Sequence, residues 1–574
     1  MTCEEMIQSD VYTEILIDPV ALGDFSEELM EQTCYHEITP RIGVLYMEAA
    51  RVPPIRITES DYAYFPKVYG LMAEGSSIQD NNTSLFNPLS LLEAGILTVQ
   101  SPPLNLTGTG VTIGFIDTGI DYGNPVFLAE DGTSRILGIW DQTIIGGNVP
   151  KGFLYGSEYN QDDIERALSS ENPYSLVPSK DENGHGTMVA SVAAGSILDH
   201  GQRFIGAAPD SKIVMVKLKE ANRVQRNWYS IPDTVPCYME SDILQALQYL
   251  QKFAREYVKP LVICIGVGTN LGDHGGSGIL SEYMSHLAQL KSRAMVIGGG
   301  NEGNARHHFM GEYGEGEDTK EIELQVAESE QGFVVEIWGR APYRFGLLIR
   351  TPGGETIRPI FRSGDKSQTY TFVFEQSRVT IDYLLIEASS GKSLIRILLE
   401  EPTAGIWTLQ IRKESQLRGG RIHAWLPISG FIQEGTYFLT SDPKVTLVEP
   451  ANEADSITVT SYEGENGSLA ITSSRGFTSD DRRKPDIAAP GVLIPTIRGR
   501  QSGSSMAAAL TAGGVAQFMQ WAVIEGNDLF VDSRKVKNYL VRGAIRESNM
   551  EYPNREWGFG KLNIAGIFKW LAGF

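Results

Sequence analysis

From about residue 108 the chain alternates short apolar runs with stretches of helical spacing, and each run predicts an element. Val111-Thr-Ile-Gly-Phe-Ile116 predicts a buried strand ending at Asp117, Thr187 to Ala194 a helix of small residues, and Lys212 to Lys217 a second strand. Further along, Gln245 to Tyr257 and Ser281 to Lys291 have helical spacing, whereas Leu261 to Val267 and Met295 to Gly298 are continuous apolar strands. Continuous apolar strands separated by helices predict a doubly wound parallel sheet with helices on both faces, an α/β fold.

The texture changes between about 318 and 440. Eight short apolar runs follow one another with turn residues between them: Ile322 to Val326, Phe333 to Trp338, Phe345 to Ile349, Tyr370 to Phe374, Val379 to Ile386, Leu394 to Leu399, Ile406 to Ile411 and Ile422 to Leu426. Strands without intervening helices predict a β-sandwich of jelly-roll type. The α/β pattern resumes at Asp455-Ser-Ile-Thr-Val-Thr460 and ends in a helix from Ser533 to Val541 and a final apolar helix. The sandwich therefore reads as an insertion. The longest apolar run, Leu261 to Ile265, is far short of the roughly 20 residues of a membrane span, so none is expected.

Composition refines this picture. The 574 residues carry a net charge of −22 and no run of Lys or Arg beyond the three residues 482–484, which argues against a nucleic-acid partner. Residues 1–100 hold sixteen Asp and Glu against four Lys and Arg, a net of −12, and this break marks a separate N-terminal region. Cys3, Cys34, Cys237 and Cys264 show no metal-type or framework spacing and are expected to be free thiols. The start, Met-Thr-Cys-Glu-Glu-Met, has neither the basic nor the apolar part of a secretory signal, so an intracellular or spore location is expected.

Three stretches carry the chemistry: Ile-Asp117-Thr-Gly, Asn-Gly-His185-Gly-Thr and Gly-Ser-Ser505-Met-Ala-Ala. A serine hydroxyl is a weak nucleophile at neutral pH; it needs a base, and the base needs a carboxylate to fix its tautomer. Asp117 stands at a strand end, where doubly wound sheets place functional groups. His185 is flanked by glycines at a helix start, and Ser505 opens an Ala-rich helix whose N-terminus favours negative charge. Asn301, in Gly298-Gly-Gly-Asn301-Glu-Gly303, is a candidate donor to an oxyanion, and the Ser505 N–H is a second. Each motif has an ordinary structural explanation as a turn or a cap; their joint occurrence in the order Asp…His…Ser does not.

On these motifs, with Lys484-Pro-Asp-Ile-Ala-Ala-Pro490-Gly as a fifth, the chain resembles the subtilisin-type (subtilase) serine proteases over roughly 101–317 and 440–574. Ser504 stands where the family has Thr, and Gly266-Val267-Gly268 where it has Ser-Leu-Gly. The resemblance implies that 266–268 and Gly298, Gly299 and Gly300 line the pocket for the residue before the cut bond, left roomy by glycines, with Glu302 at its rim favouring basic side chains. It implies that the acidic region 1–100 is a propeptide whose extended end, Leu97-Thr-Val-Gln100, reaches Ser505 and is cut between Gln100 and Ser101. Four segments follow: propeptide 1–100, catalytic 101–317, inserted sandwich 318–440 and catalytic 441–574.

A propeptide without a signal sequence and a sandwich inserted between the oxyanion Asn and the nucleophile resemble, more narrowly, the clostridial germination-specific (Csp-type) proteases. Those keep their cleaved propeptide bound and activate a spore cortex-lytic enzyme precursor. The expected activity is endopeptidase action on protein or peptide substrates, with no metal or organic cofactor in the chemistry and no calcium site assignable. The alternatives are an inactive homologue acting as a sensor or scaffold through a plugged cleft, and a subtilase unrelated to spores.

Overall fold

The structure is a computed structural model. It describes residues 1–574 apart from 25–31, 52–61, 73, 79–87, 198–203, 258–259, 360–366, 416 and 574. Its centre is an eight-stranded sheet in the order Ile487–Pro490, Ile457–Tyr462, Arg293–Gly298, Leu261–Ile265, Thr112–Asp117, Lys212–Lys217, Ile136–Asp141, Ser157–Asn160. Every pairing is parallel except the last, where Ser157–Asn160 runs antiparallel at the edge. Successive side chains on a strand face opposite ways. Ile113 and Phe115 accordingly enter one apolar cluster and Ile116 the other.

The two clusters have different partners. The first packs under the helices His185–Ala194, Ser504–Met519 and Ile564–Leu571. Ser504–Met519 is apolar all round and every residue in it is buried, as a central core helix requires. Together with its continuation to Ile524 it is the one helix among the described residues long and apolar enough to cross a membrane, and 83% of that stretch lies inside the protein. The second cluster packs under Glu240–Glu256 and Ile279–Ala288 and takes in the N-terminal region.

That N-terminal region divides in two. Strands Tyr12–Ile17, Ile42–Glu48 and Cys34–Thr39 form a small antiparallel sheet lying on helix Glu240–Glu256. Gln245 donates to Tyr46 Oη at 2.8 Å, and Gln248 meets His36 Nε2 at 2.7 Å. The second part runs differently from the expected extended tail. Ile96–Gln100 is a helical turn whose buried Ile96 and Val99, three apart, join the first cluster on the far side of the sheet. Ile564 N–H donates to Ala94 O, and the Gln100 amide donates to Ala207 O at 3.0 Å. Gln100 and Ser101 thus lie in the catalytic body, away from Ser505, because an apolar i, i+3 pair had a core to fill.

Cys3 and Cys34 form a disulfide, their Cα atoms 5.5 Å apart, which corrects the expectation of four free thiols. The short helix Cys3–Ile7 folds back beside strand Cys34–Thr39, a proximity that a spacing of 31 residues does not reveal. Cys237 and Cys264 are free and buried, and burial pushes the Cys237 thiol up to about 12.

The insertion is two packed antiparallel sheets around one apolar core. It is wider than the 318–440 expected: the six-stranded sheet begins with His308–Glu312, paired to Arg421–Trp425. The five-stranded sheet ends with Tyr437–Phe438. Alkylation of denatured, unreduced protein should modify two cysteines and, after reduction, four. Mass spectrometry showing four modified before reduction would refute the Cys3–Cys34 bond.

Candidate active site

The sheet and two helix starts bring the three motifs together. His185 Nδ1 lies 2.8 Å from Asp117 Oδ1, and Nε2 lies 3.0 Å from Ser505 Oγ. An ionised carboxylate only accepts, so Nδ1 carries the proton and Nε2 is free to take one from Ser505. All three side chains are 1% exposed. Burial opposes a charge on His185, but the charge of Asp117, its hydrogen bond and the more distant Asp181 outweigh it, and the imidazole is raised above its ordinary value.

Asp181, which no motif singled out, holds the loop that presents His185. Its Oδ1 accepts from Thr118 Oγ1 and Gly184 N–H, and its Oδ2 from the N–H and hydroxyl of Thr187, all at 2.6 to 2.8 Å. Thr118 Oγ1 in turn accepts from Gly186 N–H at 2.9 Å. The Asp117 and His185 segments are therefore tied together by one buried carboxylate. Gly266 has a separate part in this geometry. A Cβ there would lie 1.9 Å from Asp117 Oδ2, so the Asp117 carboxylate occupies the space that a serine would need.

Ser505 stands in the first turn of its helix, where backbone N–H groups lack helical acceptors. Its neighbour Ser504 orders the oxyanion loop. Ser504 N–H donates to Asn301 Oδ1 at 2.9 Å, and Ser504 Oγ accepts from Gly300 N–H at 3.0 Å. With its oxygen so held, Asn301 points its Nδ2 into the cleft. Gly298 admits this contact, since a Cβ there would lie 2.9 Å from Ser504 O.

What Asn301 Nδ2 meets is the carbonyl of Met72, at 2.9 Å. The strand Val68–Leu71 lies in the cleft, hydrogen-bonded between Tyr238–Met239 and Val267–Gly268. Leu71 is opposite Val267, Gly70 opposite Gly268, and Met72 N–H donates to Gly266 O at 3.1 Å. Beyond the site, Glu74–Ile78 pairs with Gly499–Ser502, just before the nucleophile. The chain thus crosses the catalytic groups like a bound peptide, a role that a four-residue strand in an acidic region did not advertise.

The remaining candidates separate. Gly266, Val267 and Gly268 form the wall that binds the cleft strand. Gly299 and Gly300 are engaged internally: Gly299 N–H donates to Val459 O and its carbonyl accepts from Val448 N–H, while Gly300 O accepts from Ser474 N–H. The pocket is narrowed by Val448 and holds the Met72 side chain. Val448 fills the space beside both Gly268 and Gly300, and Met72 Sδ would lie 3.2 Å from a Cβ on Gly268. Glu302 does not face the pocket. It is buried, 2.6 Å from His307 Nδ1, and accepts from Ser429 N–H at 2.9 Å. Burial raises its carboxyl, but His307 and the bonds from Ser429 prevail and hold it below its usual range. Its charge is spent on that link, which removes the basis for a preference for basic substrates. Among the described residues no group of three or more His, Cys, Asp or Glu is placed to hold a metal ion.

Residues 108–323 and 439–560 match the family model described as the subtilase family, and the chain belongs to that family of serine endopeptidases. The two matched stretches leave out the greater part of the sandwich. Among solved structures the chain is similar to the CspB protease of Clostridium perfringens, at 29% identity and a TM-score of 0.73 over 84% of this chain and 99% of that one. It is also 34% identical to the subtilisin-like protease SBT3.1 of Arabidopsis thaliana over 127 residues, a match spanning 19% of this chain and 16% of that protein.

Because His185 must be neutral to accept the Ser505 proton, reactivity should fall as pH drops through a midpoint above the ordinary imidazole value of about 6.5. The rate of fluorophosphonate labelling of Ser505 against pH measures this directly. A midpoint at or below that value would contradict the upward shift.

Proposed function

We propose that the chain is an active serine endopeptidase that cuts its own leader after Met72 and keeps the leader seated in the cleft. The observation that carries this is the backbone pose of Met72, with its N–H on Gly266 O and its carbonyl on Asn301 Nδ2. In that pose Ser505 Oγ attacks the Met72 carbonyl carbon while His185 Nε2 takes the hydroxyl proton. Asn301 Nδ2 and the Ser505 N–H hold the resulting oxyanion, and loss of one such donor costs ~10²–10³ in rate. His185 then gives its proton to the departing amine, and water releases the acyl group by the same path. The chemistry of a subtilase requires no cofactor.

Retention follows from contacts that do not depend on the cut bond. Leader residues Leu16, Val44, Tyr46, Val68 and Tyr69 belong to the second apolar cluster, and Tyr62 Oη donates to the buried Glu336 of the sandwich at 2.8 Å. Lys67 lies 3.6 Å from Glu240, both buried. This plug also favours a second reading, a resting state silent toward other proteins until the leader is displaced.

The leader, the inserted jelly-roll-like sandwich and the likeness to the CspB protease further support a germination type, acting in a cell or spore on a cortex-lytic enzyme precursor. Intact-mass analysis should find wild type as residues 1–72 and 73–574 purifying together, and Ser505→Ala uncut. A new N-terminus at Ser101, or an equally cut Ser505→Ala, would refute the proposal. Processing of a purified cortex-lytic precursor by wild type and not by Ser505→Ala tests the germination assignment.

A further inference from the structure

We propose that the cleft selects glycine at the third residue before the cut bond, and that Ile428 and Phe431 impose this. The inference rests on the reading of Met72 as the residue before that bond, which places Gly70 third. Gly70 has ordinary extended-strand pairing with Gly268 and no left-handed backbone, so its conformation does not demand glycine. Its surroundings do. A Cβ at Gly70 would lie 2.7 Å from Ile428 Cδ1 and 2.9 and 3.0 Å from Phe431 Cε1 and Cζ, all closer than carbon atoms pack.

The two side chains have little freedom to retreat. They are 5% and 4% exposed and share one apolar cluster with Val68, Tyr69, Met72 and Val448. Phe431 N–H donates to Ile428 O at 3.1 Å, closing the segment into a turn. That turn is bolted to the catalytic body on both sides. Ser429 N–H donates to Glu302 Oε1 at 2.9 Å, and Asn270 Nδ2 donates to Leu426 O at 3.1 Å and to Glu302 Oε2 at 3.3 Å. Glu302 is itself fixed by His307 and directly follows the oxyanion Asn301. The segment leaving the last long sandwich strand, Arg421–Trp425, is therefore a fixed roof over the third subsite. The substrates that fit are extended segments with glycine at that position and an apolar residue before the cut, as Met72 lies against Gly268 and Val448.

The test has a cis and a trans arm. In the full chain, Gly70→Ala should slow cleavage after Met72 ~10-fold or more, the scale of forcing a methyl into a filled core. Adding Ile428→Ala and Phe431→Ala to Gly70→Ala should restore most of the lost rate. Cleavage of Gly70→Ala at the wild-type rate overturns the proposal, and so does a triple variant that stays as slow as Gly70→Ala, since that would mark a folding defect. In trans, the processed enzyme, once residues 1–72 have been displaced from the cleft, is given the quenched peptide Lys-Val-Tyr-Gly-Leu-Met-Ala or the same peptide with alanine for glycine. Preference for the glycine peptide by about tenfold or more supports the subsite, and equal kcat/KM overturns it. A wild-type chain cut at another bond would refute the self-processing reading, while the peptide pair would still decide the subsite.

Discussion

Everything in the site hangs on the approach of the Ser504–Ser505 helix start to the Gly298–Asn301 turn. Two hydrogen bonds through Ser504 fix the oxyanion amide, and the glycine at 298 removes the side chain that would keep the backbones apart. Some 200 residues and an entire sandwich separate these groups in sequence. The insertion does not loosen them because its ends are stitched together at the root: Phe438 N–H donates to Arg306 O, and Asp442 N–H to His308 O. Closing a long loop costs little more than closing a short one once its ends are pinned. A folded sandwich with a tied base therefore leaves the catalytic halves in register.

Around these neutral contacts stand buried charged groups, and their value lies in position more than in stability. A buried pair gives back much of its attraction as desolvation, while an unpaired buried charge is costly. Asp181 is saturated by four donors and so cannot drift, and with it Thr118 and Gly184 are held on either side of the His185 loop. The same logic joins the modules. Lys392 of the sandwich reaches Asp273 of the catalytic body at 2.7 Å, and Lys67 of the N-terminal region lies 3.6 Å from Glu240 of the catalytic body. Each interface thus carries a buried charge whose partner lies across it, which penalises misalignment more than it rewards contact.

Much of this was legible in the sequence where residue types are dictated by chemistry or by period. The parallel strands, the buried Ala-rich helix, the sandwich texture and the three catalytic motifs all have local signatures, and the structure brings Asp117, His185, Asn301 and Ser505 together as those motifs suggest. What escaped has no local signature. Cys3–Cys34 depends on a tertiary fold-back, and Ile96–Gln100 reads as extended although its apolar pair is spaced for a helix. Glu302 occupies a rim position by family analogy, yet His307, five residues on, draws it inward. Val68–Leu71 is too short to stand out, and its partners Tyr238–Met239 and Val267–Gly268 come from distant parts of the chain.

The inward turn of Glu302 connects the chemistry to the selectivity. In sequence it is one residue from the oxyanion donor; in space it receives the N–H of Ser429, whose neighbours Ile428 and Phe431 cover the cleft strand. A residue free to solvate at a pocket rim could influence substrates only through a screened field. Buried and bonded, it instead holds a rigid apolar surface at a fixed distance from the peptide backbone, and steric exclusion at contact distance discriminates more sharply than a weak charge does. The sandwich thereby acquires a role without contributing any catalytic group. Its exit segment shapes the cleft, and the glycines at 266, 268 and 298 let backbone and carboxylate come close enough for the same small space to hold both the reaction and its selection.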